Sequence, residues 1–363
     1  MKLAILGTRG VPASYGGFET LAEELGQRLA ARGHEVTVYG RRGFVDRRLG
    51  HYRGMRLVVL PALPSKHLET LSHTFLSAVH AAHEGFDVAL LLNAANAPLM
   101  SILRLGGTPV ALNVDGIERK RRKWGAVARA YSRLCERLAS LGADALITDA
   151  EVMRRYYRRC YRRHSSMIAY GGDLEPPAAT DELERLGVEP GEYLLYVSRF
   201  EPENNPDRVA EAFARVPGGR KLVMVGGAPY GTSLIERVRE IADDQVVLPG
   251  PVYGAGYRQL LFNCRLYIHA TEVGGTHPAL VEAMGAGRPV VYYDTPENRE
   301  VAGGVALPFL FAGARAMERV VAEVLEDEAA LERMSRGSAR RVAERYTWER
   351  VTGAYEELLG ALC

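Results

Sequence analysis

Short apolar runs rich in Val, Ile and Leu recur along the chain, at Leu3–Leu6, Val36–Tyr39, Leu57–Leu60, Val88–Leu92, Val110–Val114 and Ala145–Thr148. Runs this short and this continuous read as strands buried on both faces, because a strand with one wet face alternates polar and apolar residues. Between them the apolar positions change to helical spacing. In Glu19–Arg32, Leu21, Ala22, Leu25 and Leu29, with Phe18 just before them, fall on one face, and Gly33 supplies a C-terminal stop. Strands alternating with helices of this length predict a parallel sheet covered on both sides.

The segment Gly171-Gly172-Asp173-Leu174-Glu175-Pro176-Pro177-Ala178-Ala179-Thr180 interrupts the pattern, since adjacent glycines and prolines continue neither a helix nor a central strand. A second alternating series follows. Strands are expected near Tyr193–Val197, Leu222–Val225, Val246–Leu248, Leu266–His269 and Val290–Tyr292, and helices near Asp207–Val216, Ser233–Asp243, Tyr257–Asn263, Pro278–Ala286 and Ala316–Leu325. The expected architecture is α/β, with two Rossmann-like doubly wound domains facing a central cleft. Residues 1–170 form the first domain, 171–190 a linker, 191–345 the second domain and 346–363 a terminal helix.

A chain of 363 residues that is 47% hydrophobic can bury two cores of ordinary size. Its net charge of +2 conceals an asymmetry: residues 1–170 hold 26 Lys and Arg against 14 Asp and Glu, whereas residues 171–363 hold 20 against 30. The excess clusters in Arg119-Lys120-Arg121-Arg122-Lys123-Trp124 and in Arg154-Arg155-Tyr156-Tyr157-Arg158-Arg159-Cys160-Tyr161-Arg162-Arg163-His164. Basic residues interleaved with aromatic ones suit anionic lipid headgroups or nucleic acid. No run approaches the roughly 18 apolar residues of a membrane span, and no leader pattern opens the chain, so a cytoplasmic protein or one lying on a membrane face is expected. Cys135, Cys160, Cys264 and Cys363 lack the paired spacing of a zinc site or a disulfide framework.

The most informative stretch is Gly274-Gly275-Thr276-His277-Pro278-Ala279-Leu280-Val281-Glu282-Ala283-Met284-Gly285-Ala286-Gly287-Arg288-Pro289-Val290-Val291. It places a glycine-rich turn before a helix carrying one carboxylate, then an apolar strand. Backbone N–H groups in such a turn and at a helix N-terminus favour phosphate oxygens, and Glu282 is spaced to accept hydrogen bonds from ribose hydroxyls. Arg199 directly follows a strand, where open parallel sheets bind ligands, and a guanidinium suits a diphosphate. Gly16-Gly17, after the first strand, lets backbone approach a phosphate or sugar. That loop is not the GxGxxG fingerprint of dinucleotide enzymes. His277 reads either as a sugar contact or as a structural histidine.

Together these stretches resemble the donor-site signature of family 4 glycosyltransferases of the GT-B fold. Gly7-Thr8-Arg9-Gly10-Val11-Pro12-Ala13-Ser14-Tyr15-Gly16-Gly17-Phe18-Glu19-Thr20, Asn113-Val114-Asp115-Gly116-Ile117-Glu118 and Glu203-Asn204-Asn205-Pro206 resemble the rhamnosyltransferase branch of that family. The resemblance implies that Arg199 holds the donor diphosphate, that the loop Pro249–Gly254 with Tyr253 holds the base, and that the last helix, near Trp348–Leu362, packs back on the first domain. It also exposes departures. Asn204 stands where the family has a lysine, so loop and helix donors carry more of the diphosphate. Gly274 stands where the family has a first glutamate, with Gly275 and Thr276 as substitutes through their N–H groups. Asp115 stands where many members have a histidine that reaches the donor sugar's 6-hydroxyl, which agrees with a 6-deoxysugar such as rhamnose. Asp115 is also a candidate for the acceptor hydroxyl.

The expected function is a retaining transferase that moves a sugar from a dTDP- or UDP-sugar to a glycan or lipid-linked acceptor, in cell-surface polysaccharide synthesis. No metal and no cofactor beyond the donor are expected, since no Asp-x-Asp triplet occurs. The named site is Asp115 and Arg199 for chemistry, with Gly16, Gly17, Asn204, Tyr253, Gly274, Gly275, Thr276 and Glu282 on the donor. Arg119, Lys120, Lys123, Trp124, Arg154, Arg155, Arg158 and Arg159 form an acceptor or membrane patch, with Tyr156, Tyr157 and Tyr161 among the headgroups. A nucleotide-sugar epimerase and a non-catalytic two-domain sugar-binding protein are the competing readings. Nucleic-acid binding is disfavoured because the basic stretches lie in one half and no recognition motif accompanies them.

Overall fold

The computed structural model describes residues 1–14, 16–65, 68–122, 124–228 and 233–363. The chain divides into two compact units. Unit 1 contains residues 1–120, 124–170 and 348–363, and unit 2 contains 121–123 and 171–347.

In unit 1 the strands are β1 (Lys2–Leu6), β2 (Glu35–Arg41), β3 (His51–Tyr52), β4 (Met55–Leu60), β5 (Val88–Leu92), β6 (Val110–Asn113), β7 (Ala145–Thr148) and β8 (Ser166–Met167). They lie in the order β3-β4-β2-β1-β5-β6-β7-β8. Only β3 with β4 pairs antiparallel among the described residues; the other pairings are parallel. The central strands β5 and β6 are buried at every position, as their unbroken apolar runs require. One face of the sheet packs Leu3, Ile5 and Leu90 against the helix Gly17–Ala31 and the last helix, Trp348–Gly360. The other packs Ala4, Leu6 and Leu91 with Ala78, Ala139 and Tyr157 from the helices Glu69–Glu84, Ala126–Gly142 and Glu151–Tyr161.

Unit 2 contains β9 (Tyr193–Arg199), β10 (Lys221–Gly227), β11 (Val246–Gly250), β12 (Leu266–His269), β13 (Val290–Tyr293) and β14 (Leu307–Phe309), in the order β11-β10-β9-β12-β13-β14 and all parallel. In each unit the chain winds outward from one strand, then returns to wind the other way. The reversal falls between β1 and β5 in unit 1 and between β9 and β12 in unit 2, and the crevice outside the carboxyl ends of such a strand pair is where open α/β sheets hold ligands.

Gly172, within the segment read from sequence as a linker, is tightly packed. Its N–H donates to the Tyr346 carbonyl at 2.8 Å, and a Cβ there would stand 2.5 Å from the Val281 carbonyl oxygen. On the opposing side, a Cβ at Gly285 would stand 1.9 Å from the Gly172 carbonyl oxygen. Two glycines thus let backbone touch backbone beneath the helix Pro278–Gly285.

The last helix belongs to the core of unit 1. Trp348 and Tyr355 are fully buried, and Arg32 pairs with Glu349 at 2.5 Å and with Glu356. The Tyr355 hydroxyl accepts a hydrogen bond from Asn113 Nδ2 at 2.7 Å, and both residues are buried. Tyr355→Phe leaves that amide without its acceptor and is expected to cost about 1–3 kcal/mol. Urea unfolding checks this; a neutral outcome would mean that water replaces the contact.

Candidate functional site

In unit 2, Arg199 ends β9 and is half-buried. The turn after it is built from side-chain to backbone bonds: Asn204 Nδ2 donates to the Arg199 carbonyl at 2.6 Å, and the Tyr196 hydroxyl donates to the Asn204 carbonyl at 2.7 Å. The Asn204 amide therefore shapes the turn that presents Arg199. Next to it, Asn205 Nδ2 donates to the Ala270 carbonyl at 2.9 Å and to Glu272 Oε1 at 3.1 Å, while the Glu272 N–H donates to the Glu203 carbonyl at 2.8 Å. Asn298 completes the clamp, donating to the carbonyls of Thr271 and Tyr293, both at 2.9 Å. The loop after β12 is thus held in place from two sides.

That loop leads through Gly274, Gly275 and Thr276, all buried, to His277 at the N-cap of the helix Pro278–Gly285. A Cβ at Gly274 would lie 2.3 Å from His277 Cε1, so only glycine lets the imidazole rest on the turn. The ring centroids of His277 and His269 are 5.0 Å apart. Burial pushes His269 down to about 3; burial first, then His269, Arg121 and Arg199, hold His277 well below the ordinary histidine range. Both rings are neutral at physiological pH. Within the helix, buried Glu282 accepts a hydrogen bond from the Tyr257 hydroxyl at 2.6 Å through Oε2. Burial, and next the Glu282 charge, push the Tyr257 phenol well up, which keeps it a donor. Tyr253 is 49% exposed at the start of the helix Gly254–Asn263.

In unit 1 the loop after β1 is pinned by the next helix. The Arg9 N–H donates to Glu19 Oε1 at 2.8 Å, and the Ala13 N–H to Glu23 Oε2 at 2.6 Å. Gly16 is the N-cap of that helix, extended at φ −167°, and a Cβ there would meet Glu19 Oε2 at an ordinary 3.5 Å. Gly17 is the first helical residue, and Tyr15 lies outside the described residues. Asp115, just beyond β6, takes a left-handed conformation at φ 56°, which costs energy for a residue with a Cβ. Its N–H donates to Asn113 Oδ1 at 3.1 Å, and Asn113 is itself held by Tyr355. The buried Tyr170 phenol is pushed well up, by burial first and then by the charges of Asp115 and Asp149.

The basic stretches separate into inward and outward residues. Arg119 donates to the Tyr156 hydroxyl at 2.7 Å and pairs with buried Glu136 at 3.3 Å; Tyr156 and Tyr161 donate to Glu136 Oε2 at 2.5 and 2.7 Å, and Tyr157 is buried. The tyrosines therefore turn into unit 1, contrary to their expected place among headgroups, because Glu136 on the neighbouring helix draws the Tyr156 and Tyr161 hydroxyls inward and Tyr157 is buried in the core. Trp124 donates to Glu118 at 3.1 Å. Lys120, Arg154, Arg155, Arg158 and Arg159 are exposed, the pair Arg154 and Arg155 resting on Glu151, while Lys123 lies outside the described residues. Sequence reading missed Glu19, Glu23, Asn205, Asn298 and Tyr257 as the groups that hold the loops. Glu19 and Asn205 lay inside quoted motifs; nothing in the sequence flagged the others. Among the described residues no group of three or more His, Cys, Asp or Glu is arranged to hold a metal ion.

The two neutral histidines set a pH dependence. Unfolded histidine takes up a proton near pH 6.5, whereas folded His269 resists until about pH 3. The unfolded chain therefore binds more protons below pH 6.5. Stability from this site is full above that pH and falls as pH drops toward 3, by about 1.4 kcal/mol per pH unit for each such histidine. Urea midpoints at pH 7, 6 and 5 check this, and His269→Gln is expected to lower the slope by about one proton.

Residues 16–171 match the family model described as a glycosyl transferase 4-like domain, and residues 181–341 match the model for glycosyl transferases group 1. No curated protein sequence matches the chain. Among solved structures, sucrose-phosphate synthase from Thermosynechococcus elongatus superimposes with a TM-score of 0.83 at 20% identity, over 99% of this chain and 98% of that one. HepE from Anabaena, in complex with UDP and glucose, gives 0.80 at 18%, over 99% and 100%. A glycosyltransferase from Rickettsia africae gives 0.73 at 13%, over 99% and 98%. At such identities the structures speak for the fold, and the two family models cover most of both units. The chain belongs to the family 4 glycosyltransferases of the GT-B fold.

Proposed function

We propose that the protein is a retaining glycosyltransferase that takes a 6-deoxyhexose such as rhamnose from a dTDP- or UDP-sugar and places it on a glycan or lipid-linked sugar acceptor, building cell-surface polysaccharide. The observation that carries the donor half is the convergence in unit 2 of Arg199, the Gly274–Thr276 turn and the N-terminus of the helix Pro278–Gly285, with buried Glu282 farther along that helix. Such a set favours a diphosphate next to a ribose. HepE has been solved with UDP and with UDP-glucose, which supports a nucleotide-sugar donor here.

In this scheme Arg199 and the loop N–H groups stabilise the negative charge that grows on the departing diphosphate, and that phosphate takes the acceptor's proton. The scheme calls for no metal ion and no separate strong base. Asp115, held in its strained conformation through Asn113 and Tyr355, orients the acceptor hydroxyl from unit 1. Among the described residues nothing requires glycine at Gly16, since its backbone is extended and the nearest atom to a Cβ there is at an ordinary distance; close approach of a sugar or phosphate supplies a reason.

Arg199→Ala and Glu282→Ala are each expected to raise the barrier by about 3–4 kcal/mol, read as kcat with dTDP-rhamnose and UDP-sugars. Calorimetry is expected to show dTDP-rhamnose binding more tightly than GDP-mannose. Parent-rate turnover by both variants would refute the site, and conversion of donor without acceptor would mark an epimerase.

Attachment to the inner face of an anionic membrane belongs to the same reading, and a different surface now supports it. No described helix is long and apolar enough to cross a membrane. On the helix Ala126–Gly142, however, Val127, Leu134 and Leu141 are 85%, 51% and 74% exposed, and their seven-residue spacing lines them along one face. Exposed Arg129, Arg133 and Arg137 accompany them. An apolar stripe with arginines beside it suits shallow insertion, each arginine contributing about 1 kcal/mol. Flotation with anionic vesicles is expected to recover the protein at low salt and to lose Leu134→Glu/Leu141→Glu. Equal recovery with neutral vesicles would leave no membrane role.

A further inference from the structure

Arg121 and Arg122 come from the stretch that follows β6, yet they pack as part of unit 2. Arg122 Nη2 lies 2.7 and 2.5 Å from the two oxygens of Glu272. Arg121 is only 6% exposed, with Nη1 at 3.1 Å from Oε1 of Glu203, which is wholly buried. A buried ion pair returns little net stability, because desolvating both charges costs about what their attraction supplies. What it does supply is position. Glu203 adjoins Asn204, whose amide grips the Arg199 carbonyl, so the pair ties Arg121 to the turn that presents Arg199. The far side of Glu203 is bound to the donor loop through its carbonyl and the Glu272 N–H. Both guanidinium charges also act on one ring, His277, at the N-cap of the helix Pro278–Gly285.

His277, resting on the glycine turn at a helix N-terminus, stays uncharged under the field of two guanidiniums, and an anion with more than one phosphate matches that field. A guanidinium has five N–H donors, so one edge can rest on a carboxylate while the group still meets an anion. We infer that Arg121 is a second guanidinium contact for the donor diphosphate, set in place by Glu203, and that it supplies the positive charge which Asn204 lacks. Glu203 is then a positioning residue, its Oε2 buried and without a hydrogen-bond partner among the described residues. This rests on the nucleotide-sugar reading above.

The test is calorimetric titration of the full chain with UDP and dTDP, and with uridine and thymidine. Removing Arg121 alone would strand a buried carboxylate, so the main variant is Arg121→Met with Glu203→Gln, which discharges both partners. Against whichever diphosphate the parent binds, this variant is expected to lose about 10- to 100-fold in affinity while binding the matching nucleoside as the parent does. Arg121→Lys keeps a charge beside Glu203 and decides the matter if the double variant does not fold; it is expected to weaken the diphosphate selectively, because an ammonium lacks the planar fork. Parent-like diphosphate binding in either folded variant would mean that Arg121 only anchors the chain to Glu203, and would overturn the inference while leaving the proposed function intact. A parent that binds neither diphosphate would bring down both.

Discussion

Loops at the carboxyl edge of a parallel sheet cannot pair with one another, yet their N–H and C=O groups must be satisfied wherever they are buried. This chain meets that constraint with side chains. Asn96, Asn204, Asn205 and Asn298 donate to loop or strand-end carbonyls, and Glu19 and Glu23 accept from loop N–H groups. Each such bond adds about 1 kcal/mol to stability, but leaving its buried partner unmet costs more. Among these bonds, those of Asn204, Asn205 and Asn298 fix the turns from which Arg199 and Gly274–Thr276 project, and Asn113 does the same for Asp115 by accepting from its N–H. Preorganisation of the site and satisfaction of the backbone are therefore one structural problem with one solution.

Electrostatics follows from that geometry. Arg121 and Arg199 act on His277, and neither ring of the His269–His277 pair carries charge at neutral pH, since burial makes the imidazolium too costly. Protonating either ring would add a third cation to a crowded basic corner. Keeping it neutral leaves the field to the guanidiniums and the helix end. Gly274 is what permits the arrangement, because any side chain there would push the imidazole off the turn.

The strands were legible because burial on both faces demands unbroken apolar runs: Val88–Leu92 and Leu266–His269 fall where the sequence placed them. The two-residue β3 and β8 carry no such run. The helix Glu328–Arg345 was missed for another reason. It buries only Leu331, Met334, Ser338 and Val342 within a field of Arg and Glu, too thin a stripe to show as periodicity. At the candidate site, residues whose type announces chemistry, Arg199 and Glu282, stood out from the sequence. Those that position them did not. Asn205 and Asn298 act across 65 and 27 residues, on backbone carbonyls that any residue could provide, so nothing local marks them.

The charge asymmetry between the halves also changes meaning once side chains are placed. Much of the positive excess in unit 1 is consumed internally: Arg9 and Arg41 both meet Glu69, at 3.2 and 3.4 Å, and Arg119 meets Glu136. Arg121 and Arg122 leave that account altogether, since they pack in unit 2 on Glu203 and Glu272. Among the outward cations are those on the helices Ala126–Gly142 and Glu151–Tyr161, and of these two helices only the first couples its arginines to exposed Val127, Leu134 and Leu141. Arginine alone on a helix is commonly a solvated face, whereas an apolar stripe left in water has an unfavourable exposure that an interface would relieve. A net count over 170 residues cannot separate these cases, because it weighs a buried ion pair and a surface cation equally. Exposure and partner decide which charges another molecule can feel.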